Sequence, residues 1–310
     1  MRRLALACLI AGPIAACGGP NPAGDDGGTG SDGNGEQPAF KITSKDVTLN
    51  PGQEVTYCYY FHTPNTQQLI VKKWASEMTP GSHHMIMYWG QAGQPADGTL
   101  DTSCGGAQVP VWVYATQNPK SELAMPTDDG AGKPLGMVVP PNQPGYFQMH
   151  YLNQGDDPLT VHVDLEAYAY EAGVAYTPTA AFITYNGDIS IPAGATNYPQ
   201  TQTCTVPANV QFWTISTHSH KQSVATQIAD GASVIFNSTD WEHPGAQSWM
   251  STPFYKFASG QLTYSCNYTN MTSHTITDGS SAQTDEMCMA TGYMFPAPAS
   301  KFCYTNQGPF

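Results

Sequence analysis

Residues 82–89 read Ser-His-His-Met-Ile-Met-Tyr-Trp, a histidine pair at the head of a short β-rich run. Runs of the same kind recur at 55–61, 69–74, 109–115, 146–152 and 160–170, each broken off by Pro, Gly or Asn. Their length and spacing suit antiparallel sheets packed as a sandwich, and no amphipathic helical pattern of any length interrupts them. A second series follows at 181–185, 188–191, 211–216, 222–228, 234–238, 262–268 and 287–295. Gly173 to Pro178 lies between the two series and marks the expected boundary. The sequence therefore predicts an all-β protein of two antiparallel, jelly-roll-like β-sandwich domains, at residues 38–175 and 176–310.

Length and charge fit that picture. The chain has 310 residues, a net charge of −13 and only 11% charged residues, which suits one large or two medium globular domains. Its acidity argues against nucleic acid as a partner, because phosphates need a basic surface. At the N-terminus, Arg2 and Arg3 precede an apolar stretch from Leu4 to Ile14 that is too short to span a bilayer. Ile14-Ala15-Ala16-Cys17 has the small-residue cleavage pattern of an export signal. A cysteine directly after such a site resembles a bacterial lipobox, the alternative being an ordinary signal peptide. Residues 1–17 are then a signal peptide with lipobox and Cys17 carries lipid, so that membrane contact is through this anchor only. Gly18, not Asp, follows, which by resemblance to proteobacterial sorting favours the outer membrane. Residues 18–37 are Gly, Asp, Ser, Asn and Pro without apolar periodicity, the composition of a flexible tether.

Without Cys8 and Cys17, six cysteines remain: Cys58, Cys104, Cys204, Cys266, Cys288 and Cys303. An exported chain normally oxidises such an even set. No Cys-x-x-Cys pair occurs among them, so a thiolate zinc site is disfavoured, and spacing alone leaves the pairing open.

The residues suited to metal chemistry fall in four places. His218-Ser219-His220 sets two imidazoles two apart, on one face of a strand. His83 and His84 are adjacent, so an ideal strand points them apart; for both to reach one ion the backbone must bend, or the rings must use different nitrogens. His150 ends the run Gln148-Met149-His150, and Asp285-Glu286-Met287-Cys288 offers a thioether. Met289 shares the strand face of Met287 and Met294 is near, so spacing does not separate these methionines. Each residue alone is more often a satisfied histidine or a core methionine than a ligand. Together they sort into an N-terminal and a C-terminal set of three, with the imidazole and thioether chemistry that suits copper. His62, His162, His243 and His274 have no partner at ligand spacing and are expected to be structural.

His-His-Met at 83–85, Gln-x-His-Tyr at 148–151, Thr-His-x-His at 217–220, Glu-His-Pro at 242–244 and Asp-Glu-Met-Cys at 285–288 resemble, in this order, the copper type II ascorbate-dependent monooxygenases. These are the relatives of peptidylglycine α-hydroxylating monooxygenase and dopamine β-monooxygenase. The resemblance covers residues 40 to 305. It implies two coppers, one held by His83, His84 and His150 for electron transfer, the other by His218, His220 and Met287, where dioxygen binds and C–H bonds break. It further implies that ascorbate supplies one electron per copper, that the coppers lie in separate β-sandwiches facing a solvent-filled cleft, and that the disulfides are Cys58–Cys104, Cys204–Cys303 and Cys266–Cys288.

The chain also departs from the family. Where peptide-amidating members place an arginine and a tyrosine that grip the substrate's carboxylate, Ser216 and Thr291 stand here. A hydroxyl does not replace a guanidinium fork. Peptidylglycine is therefore not expected as substrate, and the missing tyrosine removes support for a catecholamine. The expected function is hydroxylation of a small neutral or cationic organic molecule by an extracytoplasmic, lipid-anchored or secreted copper monooxygenase. Two alternatives use the same residues differently: a copper-binding or relay lipoprotein without turnover, and a surface adhesion lipoprotein with incidental histidines.

Overall fold

The computed structural model describes residues 36–102, 104 and 111–305; Cys17, its cleavage motif and nearly all of the expected tether lie outside them. The described residues form strands and turns with no helix, as the run lengths predict. The strand Ser82–Trp89 shows how the sequence sets the layers. Met85 and Met87 are fully buried on one side, whereas His84, Ile86 and Tyr88 alternate to the other.

That strand lies in a five-stranded sheet ordered Leu100–Asp101, Glu54–His62, Pro144–Leu152, Ser82–Trp89, Val111–Thr116. A second sheet covers its methionine side, built around Leu69–Met78 and Val163–Ala169 with Phe40–Thr43, Lys120–Ala124, Leu135–Val139 and Thr177–Pro178. Trp74, Phe147, Met85 and Tyr114 fill the space between them with no exposed surface, each burial stabilising the fold by roughly 1.5–3 kcal/mol. The Tyr114 hydroxyl and Ser76 Oγ meet across the layers at 2.8 Å.

The other sandwich pairs a sheet ordered Gln247–Ser248, Gln211–Ser219, Cys288–Phe295, Ala180–Tyr185, Lys301–Tyr304 with one ordered Tyr198–Thr205, Gln261–Tyr268, Ser223–Asp230, Ser233–Ser238. Strand pairing changes over between Pro178 and Ala180, since no described strand before that point pairs with one after it. The two halves nevertheless share a core. Ile183, Trp213 and Tyr293 from the second join the apolar cluster of the first, and residues 37–310 form one compact unit.

The three disulfides are Cys58–Cys104, Cys204–Cys303 and Cys266–Cys288, the pairs that the family resemblance implies. The last two join the opposed sheets of the second sandwich. Removing Cys204–Cys303, which spans 99 residues, as the double alanine variant should lower the unfolding free energy by about 2–4 kcal/mol. Urea titration of the variant beside the parent checks this, and an unchanged midpoint would show that the bridge does not form.

Candidate metal centre

In the sheet register His84 faces His150, but Ser82 faces Tyr151. His83 is therefore an extra residue in its strand, a β-bulge, which re-aims a side chain that a regular pleat would send to the wrong face. This is the bend that adjacent histidine ligands require. The His83 ring lies 5.1 Å from His84 and 5.3 Å from His150, centre to centre, and His84 lies 5.0 Å from His150. Ring nitrogens of the three come within 4.8 Å of one another.

The second set stands on the facing sheet. His218 and His220 are on one side of their strand with ring centres 5.2 Å apart. His218 is opposite Met289 and Ser219 opposite Cys288, so Met287 and Met289 point to the same face as the two histidines. Both methionines line the adjoining cavity with His84 and His218. Geometry thus leaves the two thioethers as rivals, as spacing does.

One expectation differs from the structure. The two histidine sets do sit on strands of different halves, but they do not face each other across a solvent-filled cleft. His84 and His218 lie 5.3 Å apart, His83 and His218 6.1 Å, and His83 and His220 6.2 Å, so the five imidazoles form one cluster. The cause is that at the histidines the outward face of the Ser82–Trp89 sheet approaches the outward face of the Gln211–Ser219 sheet closely, whereas beyond His84 and His218 the same two faces stand apart around a cavity. Periodicity fixes which face a side chain takes, not how far apart two sheets stand.

Several residues that hold this cluster carry no local sequence signal. His150 Nε2 meets Glu54 Oε1 at 2.8 Å, and the same carboxylate accepts from the Ser281 hydroxyl and the Ala282 N–H, both at 2.9 Å. His218 Nδ1 meets Gln117 Oε1 at 2.6 Å, and His220 Nδ1 meets the Asp285 carbonyl at 3.2 Å. Each partner occupies one ring nitrogen and leaves the other, Nδ1 of His150 and Nε2 of His218 and His220, for an ion. Trp241 packs against His83 at 5.4 Å. Asp285 and Glu286 do lie inside a recognised motif; Glu286 accepts the backbone N–H groups of His220, Gln222 and Met287. Of the histidines expected to be structural, His62 pairs with Asp97 and His162 with Asp46, whereas His243 lines a small pocket beside His83.

The donor set fits a metal. His83 Nε2, His84 Nδ1 and His220 Nε2 are buried without a hydrogen-bond partner, a costly arrangement for polar atoms that nothing else satisfies. Burial is the main cause that holds all five rings below the ordinary histidine range: His83 at about 3, His220 at about 4, His84 and His218 well below, and His150 lowered although Glu54 opposes the shift. Neighbouring imidazoles add to the effect at His83, His84 and His218. The rings are therefore neutral at pH 7, the state that ligates metal.

A stability profile follows. Unfolding returns each ring to a value near 6.5, so below that pH the unfolded chain binds more protons than the folded one. Metal-free protein should keep its full stability above pH 6.5 and lose it as the pH falls toward the folded values, by up to about 1.4 kcal/mol per pH unit for each ring. Thermal melts of chelator-treated protein across that interval check it; a flat profile would mean that the rings are solvated.

Fold and site together define a class: an all-β protein of paired sandwiches closed on a buried polyhistidine centre. Residues 170–309 match the family model described as copper type II ascorbate-dependent monooxygenase, C-terminal domain, so this part of the chain is similar to the C-terminal domain of a copper- and ascorbate-dependent family. No curated protein matches the chain significantly. Among solved structures, the PBSX exported protein XepA is similar at 7% identity over 82% of this chain and 86% of that one, with a TM-score of 0.23, too low to bear on fold or function.

Proposed function

We propose that this protein is a copper-dependent monooxygenase that hydroxylates a C–H bond of a small organic substrate. The observation that carries the proposal is the buried imidazole cluster, with unpartnered nitrogens, at the edge of a cavity of about 980 Å³. Copper bound there would supply one-electron redox chemistry toward dioxygen, with two electrons drawn from an ascorbate-type reductant. His83, His84 and His150 would hold one ion, and His218, His220 and Met287 the other. Glu54, Gln117 and the Asp285 carbonyl orient the rings and select the nitrogen each presents. The cavity walls orient the substrate against His218 and Met287. Ser216 stands directly opposite Thr291 on the cavity wall, and two hydroxyls at the positions that would grip a peptide carboxylate support a substrate other than peptidylglycine.

The three disulfides suit an oxidising, extracytoplasmic compartment; lipid attachment at Cys17 and residence at the outer membrane are part of the proposal. The test is elemental analysis for two coppers per chain, followed by ascorbate-driven oxygen uptake against a panel of small organic molecules, with mass spectrometry for products that gain one oxygen. Bound copper without oxygen consumption would make the protein a copper-binding or relay module instead.

A further inference from the structure

The large cavity lies between two sheet faces. His84, Ile86, Tyr88 and Gln148 form one wall, while Thr214, Ser216 and His218, set in register against Tyr293, Thr291 and Met289, form the other. Two aromatic pairs line it, Tyr88 with Trp112 at 5.5 Å and Trp213 with Tyr293 at 5.4 Å between ring centres. The Tyr293 hydroxyl donates to the Val113 carbonyl of the opposite half at 3.1 Å, which holds the walls together at this end.

The lining is almost without charge. Among the described residues no lysine or arginine lines the cavity, and its one carboxylate is Glu122. The Glu122 side chain is 63% exposed and lies 3.2 Å from Lys73, so it is solvated and already paired. An anion entering this space would lose its hydration and find no cation. An ammonium group would meet only a carboxylate that water and a lysine already satisfy. Burying an unpaired charge is disfavoured by far more than burying apolar surface is favoured. The polar groups suited to a ligand are few: the Thr291 and Tyr88 hydroxyls and the Gln148 and Asn118 amides line the cavity without a side-chain hydrogen bond among the described residues. Such a volume, largely apolar with a few convergent polar groups, is that of a small-molecule site.

We infer that this cavity binds an uncharged, largely apolar, ring-bearing small molecule, placed with an edge toward His218 and Met287 and hydrogen-bonded only to neutral groups such as Thr291 and Gln148. That this molecule is the substrate rests on the oxygenase proposal; that it binds does not. Neutrality distinguishes it from both a carboxylate-bearing peptide and a cationic amine.

Three probes of one shape decide the matter: 2-naphthalenemethanol, 2-naphthoate and 2-naphthylmethylammonium, titrated at pH 7 into metal-free and copper-loaded full-length protein by calorimetry and by tryptophan fluorescence. The alcohol should bind at least about tenfold more tightly than either ion. Ala246→Trp, on an exposed loop at the cavity rim, and Ala115→Trp, on its wall, should each weaken the alcohol at least about tenfold while the copper count stays that of the parent. Equal or tighter binding of either ion, absence of alcohol binding, or fillers that leave alcohol affinity unchanged would each overturn the inference. Tight alcohol binding by a protein that consumes no oxygen would sustain the inference and remove the oxygenase proposal. Turnover confined to charged molecules would do the reverse.

Discussion

Met287→His is expected to keep both copper equivalents and yet lower ascorbate-driven oxygen uptake by about a hundredfold or more, the upper range seen when a metal's immediate surroundings are altered. Imidazole binds Cu(II) at least as well as a thioether does, so metal should remain, but a neutral sulfur ligand favours Cu(I), the form that takes dioxygen. The backbone at Met287 is pinned on both sides. Its N–H donates to Glu286 Oε2 at 3.3 Å and its carbonyl accepts the Tyr268 hydroxyl at 2.8 Å. The substitution therefore changes the donor atom rather than the course of the chain. Met289→Leu is the control, because Met289 stands opposite His218 and lines the same cavity. It removes the rival thioether at nearly constant volume, a change that cores tolerate well, and should be close to silent. Copper counting and oxygen uptake on both variants check the pair. A dead Met289→Leu beside an active Met287→His would move the sulfur ligand two residues along the strand.

The residues differ in how far their roles could be read before the fold was known. Alternation along Ser82–Trp89 separates Met85 and Met87, which point into the core, from Ile86 and Tyr88, which face the cavity; period two is a local property and is legible locally. Adjacent His83 and His84 already demand a bend, and the bulge supplies it. The strand Tyr198–Thr205 is different, because in Tyr-Pro-Gln-Thr-Gln-Thr-Cys-Thr only Cys204 is fully buried. It is an edge strand whose pairing comes from backbone bonds to Gln261–Tyr268, so apolar alternation does not reveal it. The run at 160–170 reads as one strand but divides at His162: Leu159–Val161 pairs with Val47–Leu49, and Val163–Ala169 with Leu69–Met78. An apolar run shows that a strand exists without showing which sheet it joins. Glu54 and Gln117 lie 96 and 101 residues from the histidines they orient, a relation that only the closing of the sheets creates. The merging of two histidine sets into one cluster has the same origin.

Glu286→Ala is expected to cost the folded state about 3 kcal/mol or more and to empty one metal site while sparing the other. The carboxyl group has no exposed surface. Its Oε1 accepts the Gln222 N–H at 2.7 Å, and its Oε2 accepts the His220 N–H at 3.0 Å and the Met287 N–H at 3.3 Å. Burial pushes its pKa up to about 8, against the pull of those three N–H groups toward the ionised form. Alanine leaves one buried and two part-buried donors with no acceptor, and an orphaned buried group costs about 1–3 kcal/mol before the chain relaxes. The same three bonds tie the turn after His220 to the segment that presents Met287, so their loss lets two of the three expected ligands of that set drift apart. His83, His84 and His150 are carried by other strands, with His150 oriented by Glu54, and should keep their ion. Glu286→Gln restores an acceptor oxygen but turns an NH2 toward an N–H donor, so it should recover only part of the loss. Urea unfolding of metal-free protein with copper counts on the loaded variants separates the two effects. A Glu286→Ala protein with the parent's midpoint and two coppers would show that the carboxyl group is not what joins His220 to Met287.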